Sequence, residues 1–197
     1  LVGHQGPGPL QAERLRRRER FRGMLHIKII PGASDAAIER ALQLASGVSL
    51  NIETAGADHF ARLSARKDYL TSVIAPLKRI AALTAKGSRY ARVKTGTQFV
   101  VGASDETDRE VVRYMGALYE RMGLHGIYFS AYQRGLGDPD LPGERSPVSN
   151  ADLLNREHRL YQTDYLLRKY GFSAEEIGFD AAGNLPLDID PKEHWAR

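Results

Sequence analysis

Met24-Leu-His-Ile-Lys-Ile-Ile-Pro31 decides the fold once it is set beside three similar stretches, Val48-Ser-Leu-Asn-Ile-Glu53, Thr97-Gln-Phe-Val-Val-Gly102 and Gly126-Ile-Tyr-Phe-Ser-Ala-Tyr132. Each is short and alternates apolar with polar residues. A strand sends successive side chains to opposite faces. One face of a sheet built from these stretches carries Leu25, Ile27, Ile29, Leu50, Ile52, Phe99, Ile127 and Phe129. The other carries His26, Lys28, Ser49, Asn51, Glu53, Gln98, Tyr128, Ser130 and Tyr132. Strands of parallel α/β sheets are usually apolar on both faces, so a second face this polar points to a site.

The segments between the strands read as helices. Ser34 is the expected N-cap of a helix carrying Ile38, Ala41, Leu42 and Ala45, with Gly47 just past its end. A short helix is expected over Ala57–Leu63 and a longer one over 68–85, limited or kinked by Pro76, before a basic connection at 86–96. Ser104 or Asp105 is expected to cap a helix with Val111, Met115, Leu118 and Met122 on its buried face, ended by Gly123. Residues 133–150 form a long loop rich in glycine and proline, a length typical of functional loops. A last helix over 153–170 precedes Ser173-Ala-Glu-Glu176, which fits a capping box.

This β-α-β-α-β-α-β-loop-α order predicts a parallel sheet. Four strands are too few to close a barrel of the eight-stranded kind. The expected architecture is α/β, a partial TIM-like (β/α) barrel over 23–172. A lead-in and charged helix end precede it at 1–22, disordered over 1–10, and an extension follows at 173–197.

The 197 residues are 42% hydrophobic and 26% charged, ordinary for a globular domain with a substantial core. No apolar run approaches the length of a membrane span and no signal-peptide pattern opens the chain, so no membrane partner and a cytoplasmic location are expected. The charge of +4 is mild, and much of it sits in Arg14-Leu-Arg-Arg-Arg-Glu-Arg-Phe-Arg22, either a phosphate contact or a solvated helix face. Cysteine is absent, which excludes disulfides, thiolate nucleophiles and thiolate-bound metals. A chain that opens on Leu1 and stops soon after an Asp-Pro helix start reads as a piece of a longer one.

Ligands of parallel α/β folds bind at the C-terminal ends of the strands. There His26 and Lys28 share a face about 6.6 Å apart along one strand, as do Asn51 and Glu53 on the next. Ammonium, carboxylate and amide groups that converge suit a zwitterionic or hydroxyl-rich ligand. The alternative reading of Lys28 and Glu53 is a buried ion pair. Lys28 also reads as a Schiff-base nucleophile of an aldolase-like enzyme, and His26 as a core histidine. The Gly102-Ala-Ser-Asp105 turn offers backbone N–H groups to an anion. Glu157, His158 and Gln162 are spaced to share one helix face, beside an apolar side of Leu153, Leu160 and Leu167.

Taken in order, Phe21-Arg-Gly-Met-Leu-His-Ile-Lys-Ile-Ile-Pro-Gly-Ala-Ser34, Val48–Glu53, Thr97-Gln-Phe-Val-Val-Gly-Ala103, Ile127-Tyr-Phe-Ser-Ala-Tyr132 and Glu157-His-Arg-Leu-Tyr-Gln162 resemble the DNA modification/repair radical SAM proteins, a family associated with a uracil-DNA-glycosylase-like partner. The resemblance runs from Arg14 to Trp195. It implies strands three to six of a six-stranded barrel that binds S-adenosylmethionine and a [4Fe-4S] cluster, with DNA or a nucleotide as substrate. It further implies cofactor contacts at Lys28, Asn51, Glu53, Gln98 and Gly102, and a substrate side at Ser130 and Tyr132. The family's Cys-x3-Cys-x2-Cys loop is missing from this sequence, so this chain alone ligates no cluster and is expected to be inactive in isolation. A non-catalytic module that binds S-adenosylmethionine or DNA is the alternative. An incomplete barrel also leaves an open sheet edge, which invites self-association.

Overall fold

A computed structural model of the chain describes residues 9–135 and 138–197. The polar and apolar alternation becomes four parallel strands: β1 (His26–Ile29), β2 (Gly47–Leu50), β3 (Lys94–Val101) and β4 (Gly126–Ala131). Their order in the open sheet is β1-β2-β3-β4. Consecutive parallel neighbours joined by right-handed crossovers place every connection on the same side of the sheet, leaving the other side uncovered. Burial alternates accordingly, with Ile27 and Ile29 buried while His26 and Lys28 are exposed.

The covered face meets α2 (Asp35–Leu44) and α4 (Ala75–Thr84), and α1 (Pro9–Arg17), α3 (Ala57–Leu63) and α5 (Asp108–Met122) pack into the same core. Phe99 on β3 is almost fully buried and its ring stacks on Phe129 of β4, centroids 5.9 Å apart. Such a pair contributes roughly 0.5–1.5 kcal/mol beyond its area. One core takes in Ala12 of α1, Ile38 and Leu42 of α2, Met115 and Leu118 of α5, and also Ile177 and Leu185 near the C-terminal end. The lead-in expected over 1–10 lies outside the described residues up to residue 8, and the helix begins at Pro9. Arg16 of the basic cluster braces this helix to the end of α2 and to the connections before β1 and β2, donating to the carbonyls of Leu44 and Gly23 and to the Ser46 hydroxyl.

Several boundaries follow the local chemistry. Ser34 caps α2 and Gly123 ends α5 in the left-handed region at φ +60°. Gly47, by contrast, does not close α2: that helix ends at Leu44 with Ala45 as its extended C-cap, and Gly47 opens β2 opposite His26 and Lys94. Strand β3 starts at Lys94 inside the expected connection, because Thr95 and Gly96 are buried positions of the ladder rather than loop. The break at Pro76 takes the form of a π-helical turn, Leu70–Ile74, before α4. Proline has no N–H to return to the carbonyl four residues earlier, and that carbonyl, Ser72, accepts from the Gly32 amide at 2.7 Å instead.

Beyond β4 come α6 (Pro142–Arg145), α7 (Asn150–Tyr165) with a π-helical continuation over Leu166–Tyr170, a 3-10 turn at Ala174–Glu176 with the expected capping box on Ser173, and α8 (Pro191–Ala196). Helix α7 closes the β4 edge. The Tyr161 hydroxyl donates to the Phe129 carbonyl and accepts from the Phe129 amide, both at 3.0 Å, and Glu157 accepts from the Ala131 amide at 2.6 Å. A side chain thus does for the backbone what a further strand would do. Among the described residues no strand pairs with the outer side of β1, so the expected open edge is confined to that strand.

Candidate functional site

The uncovered face of the sheet is the candidate site, and an interruption in the β2–β3 ladder shapes it. The two strands pair for three residues, Gly47 to Ser49 against Lys94 to Gly96. Then the Thr97 hydroxyl takes the place of the backbone, donating to the Leu50 carbonyl at 2.7 Å and accepting from the Ile52 amide at 3.0 Å. Pairing resumes at Glu53, whose amide donates to the Gln98 carbonyl and whose carbonyl accepts from the Val100 amide. To rejoin β3 in this way Glu53 adopts φ +67°. A side chain other than glycine, asparagine or aspartate held there costs about 1–2 kcal/mol.

That strained residue carries the charge of the site. Burial pushes the Glu53 carboxyl above its ordinary value, opposed by Lys28, a hydrogen bond from Asn51 and the charge of Lys67. Asn51, itself buried, donates to the Gln98 side-chain oxygen at 3.2 Å. His26 and Ser49 are hydrogen-bonded at 2.8 Å between ring Nε2 and hydroxyl. Gly96 and Gly126 form a floor under Tyr128, whose ring would come within 3.3 Å of a Cβ added at Gly96. Tyr128 therefore lies across backbone with half its surface open to solvent. The face offers an ammonium, a carboxylate, two amides and an aromatic ring side by side.

Lys28, Asn51, Glu53 and Gln98 are the sequence-derived residues that the fold gathers here, and Ser130 lies farther along the same face in register with Val100. The buried Lys28–Glu53 ion pair does not form: Lys28 is exposed and influences Glu53 without a salt bridge among the described residues. Nor is Lys28 enclosed in the apolar pocket that makes a lysine a Schiff-base nucleophile. His26 is exposed rather than a core histidine, since odd positions of β1 face the helices.

Gly102 and Tyr132 both make framework contacts. Gly102 sits at φ +82° beneath α7, where an added Cβ would come 2.5 Å from Leu153 Cδ2. Gly102→Ala is expected to destabilise the chain by about 2–3 kcal/mol in urea unfolding, from backbone strain and overpacking together; a loss below about 1 kcal/mol would show that α7 yields at this point. The Tyr132 ring packs on Gly143 and its hydroxyl donates to Glu144 at 2.8 Å, which with burial pushes it up to about 12. The expected anion site in the 102–105 turn is also displaced. Thr107, not Ser104 or Asp105, caps α5, in a capping box with Glu110.

Ser104 and Asp105 belong to a cluster that sequence spacing does not reveal. His59 of α3 lies 3.0 Å from the Ser104 hydroxyl and 3.2 Å from Asp105 through Nδ1, and 3.4 Å from Glu110 through Nε2. The serine hydroxyl donates to Asp105, which also pairs with Arg62. The cluster fastens α3 to the start of α5, and its serine proton is already committed. Beneath it Glu106 is buried and raised by that burial, with the Thr54 hydroxyl donating to it at 3.0 Å.

The fold and site define a parallel α/β sheet with one face open and polar at the C-terminal ends of its strands. No protein-family model matches the chain, and neither the curated proteins nor the solved structures contain a match. No described helix is long and apolar enough to cross a membrane.

Proposed function

We propose that the open face is the cofactor-facing wall of a radical S-adenosylmethionine enzyme that acts on DNA or a nucleotide, and that this stretch of chain holds the amino-acid and ribose parts of that cofactor. The observation that carries the reading is the convergence of Lys28, Asn51, Glu53 and Gln98 around a strained carboxylate on an uncovered sheet face. Natural sequences tolerate such strain mainly where it serves a site.

The donor set fits a zwitterion bearing a ribose. Lys28 suits a carboxylate, Glu53 an ammonium or a ribose hydroxyl pair, and the Asn51–Gln98 amides the remaining hydroxyls. Tyr128, close to Gly96 and Gly126 and half exposed, offers a stacking surface to an adenine ring. Bound S-adenosylmethionine would supply radical chemistry; these side chains bind and orient it. The cluster of the family does not fit this chain. There is no cysteine, and among the described residues no group of three or more His, Asp or Glu side chains is arranged so that it could hold a metal ion. Cluster ligands, and a glycosylase-like protein partner, would have to come from elsewhere.

Calorimetry of the chain with S-adenosylmethionine is expected to show saturable binding that Asn51→Ala and Gln98→Ala each weaken about tenfold, the loss expected when a hydrogen bond to a charged or polar ligand is removed in a shielded site. An absence of binding heat with a folded chain would remove the proposal. Binding of single-stranded DNA without S-adenosylmethionine would favour the non-catalytic DNA module instead.

A further inference from the structure

The π-helical turn that extends α7 changes which tyrosines are neighbours. Tyr161 and Tyr165 are four residues apart on α7 and share its face. Tyr170 follows Tyr165 by five residues, which in a regular α-helix would turn it away. The wider turn over Leu166–Tyr170, closed by the Gly171 amide on the Leu166 carbonyl, brings it back. The Tyr165 and Tyr170 rings meet edge to face at 5.8 Å. The three tyrosines line a cavity of about 480 Å³ together with Glu157, Asp190 and Lys192, a size usual for small-molecule sites. Single π-helical turns inside helices occur frequently at functional sites.

One cation is already in place. Lys192, from the first turn of α8, holds its Nζ 4.2 Å from the centroid of the Tyr170 ring. The two lining carboxylates outnumber it. Glu157 accepts from the Ala131 amide and Asp190 from the Lys192 amide, and neither has a salt bridge among the described residues. Aromatic faces with surplus negative charge attract a cation.

We propose that this cavity binds a quaternary organic ammonium, which displaces the Lys192 side chain from Tyr170. Such a cation has no N–H group to satisfy and little hydration to lose, so aromatic faces and nearby carboxylates suffice to hold it. A guanidinium or primary ammonium would need acceptors aimed at each N–H, and the cavity has spent part of its carboxylate capacity on backbone.

The probe is tetramethylammonium, titrated into the full chain and followed through the tyrosine ring resonances by NMR. Its uncharged isostere neopentane carries no useful solubility, so neopentyl alcohol is the neutral control. Saturable shifts of Tyr161, Tyr165 and Tyr170 are expected with tetramethylammonium and none with neopentyl alcohol. Tyr170→Leu is expected to weaken binding roughly two- to fivefold, and Lys192→Met to strengthen it by a similar factor, the worth of one exposed cation–π contact. Tyr170 is more than half exposed, so its replacement does not empty the core; Tyr165→Leu provides a second, independent loss. Equal binding of the alcohol would overturn the proposal, as would shifts that fail to saturate. An affinity that none of the three substitutions changes would overturn it too.

Discussion

Replacing Arg156 by methionine is expected to destabilise the chain by about 3–5 kcal/mol, the cost of leaving a buried charge without its partner. Asp108, the first residue of α5, is fully buried. One of its oxygens receives the Arg156 Nε at 2.5 Å and the other the Leu185 amide at 2.9 Å. Arg156 also donates to the Glu106 carbonyl at 2.6 Å. The pair therefore ties α5, α7 and the segment around Leu185 together. Denaturant unfolding checks the magnitude, and the double variant Arg156→Met with Asp108→Asn is expected to recover a large part of it, because the uncompensated charge goes with the second change. A single-variant loss under about 1 kcal/mol would mean that the α5 N-terminus and the Leu185 amide alone satisfy Asp108.

Arg156 also shows where sequence reading reached its limit. The run from Arg156 to Gln162 stands out as polar, and Glu157, His158 and Gln162 do face one cavity as their spacing implies. Which of these groups touch solvent and which hold the fold together depends on partners tens of residues away: Asp108 for Arg156, and the β4 backbone for Glu157 and Tyr161. The strands were legible because alternation is a local signal, carried by residues such as Ile27 and Lys28. Parallel pairing followed from the alternation of elements, whereas the strand order came from the structure. The start of β3 was masked because Lys94, Thr95 and Gly96 continue the polar run before it, although Thr95 lies on the buried face. The His59 cluster was invisible because His59 lies 45 or more residues from its partners Ser104, Asp105 and Glu110. At the candidate site the residue types were readable, while the feature that makes Glu53 unusual is a backbone angle, which no residue type discloses.

Glu53→Gly is expected to make the chain more stable and to abolish binding of S-adenosylmethionine. Glycine enters the left-handed region at no steric cost, so removing the side chain at φ +67° is worth about 1–2 kcal/mol, or a rise of roughly 2–8 °C in Tm for a chain of this size. Glu53→Gln separates charge from strain, since it keeps the backbone cost and removes only the carboxylate. The sign of the pH dependence follows from burial. The folded-state pKa of Glu53 lies above its ordinary value of 4.5, so its protonated form favours folding. The stability associated with this group is complete below 4.5 and falls as pH rises through the elevated folded value. The advantage of Glu53→Gln over the unaltered chain should accordingly be absent in acid and open as pH rises through that window. Glu106, raised in the same way, is common to both chains and cancels in the difference. Thermal unfolding across pH measures it. A glutamine variant no more stable at neutral pH than in acid would show that Lys28, Lys67 and Asn51 already compensate the charge. Greater stability joined to lost binding would mark Glu53 as a residue kept for its ligand at the expense of the fold.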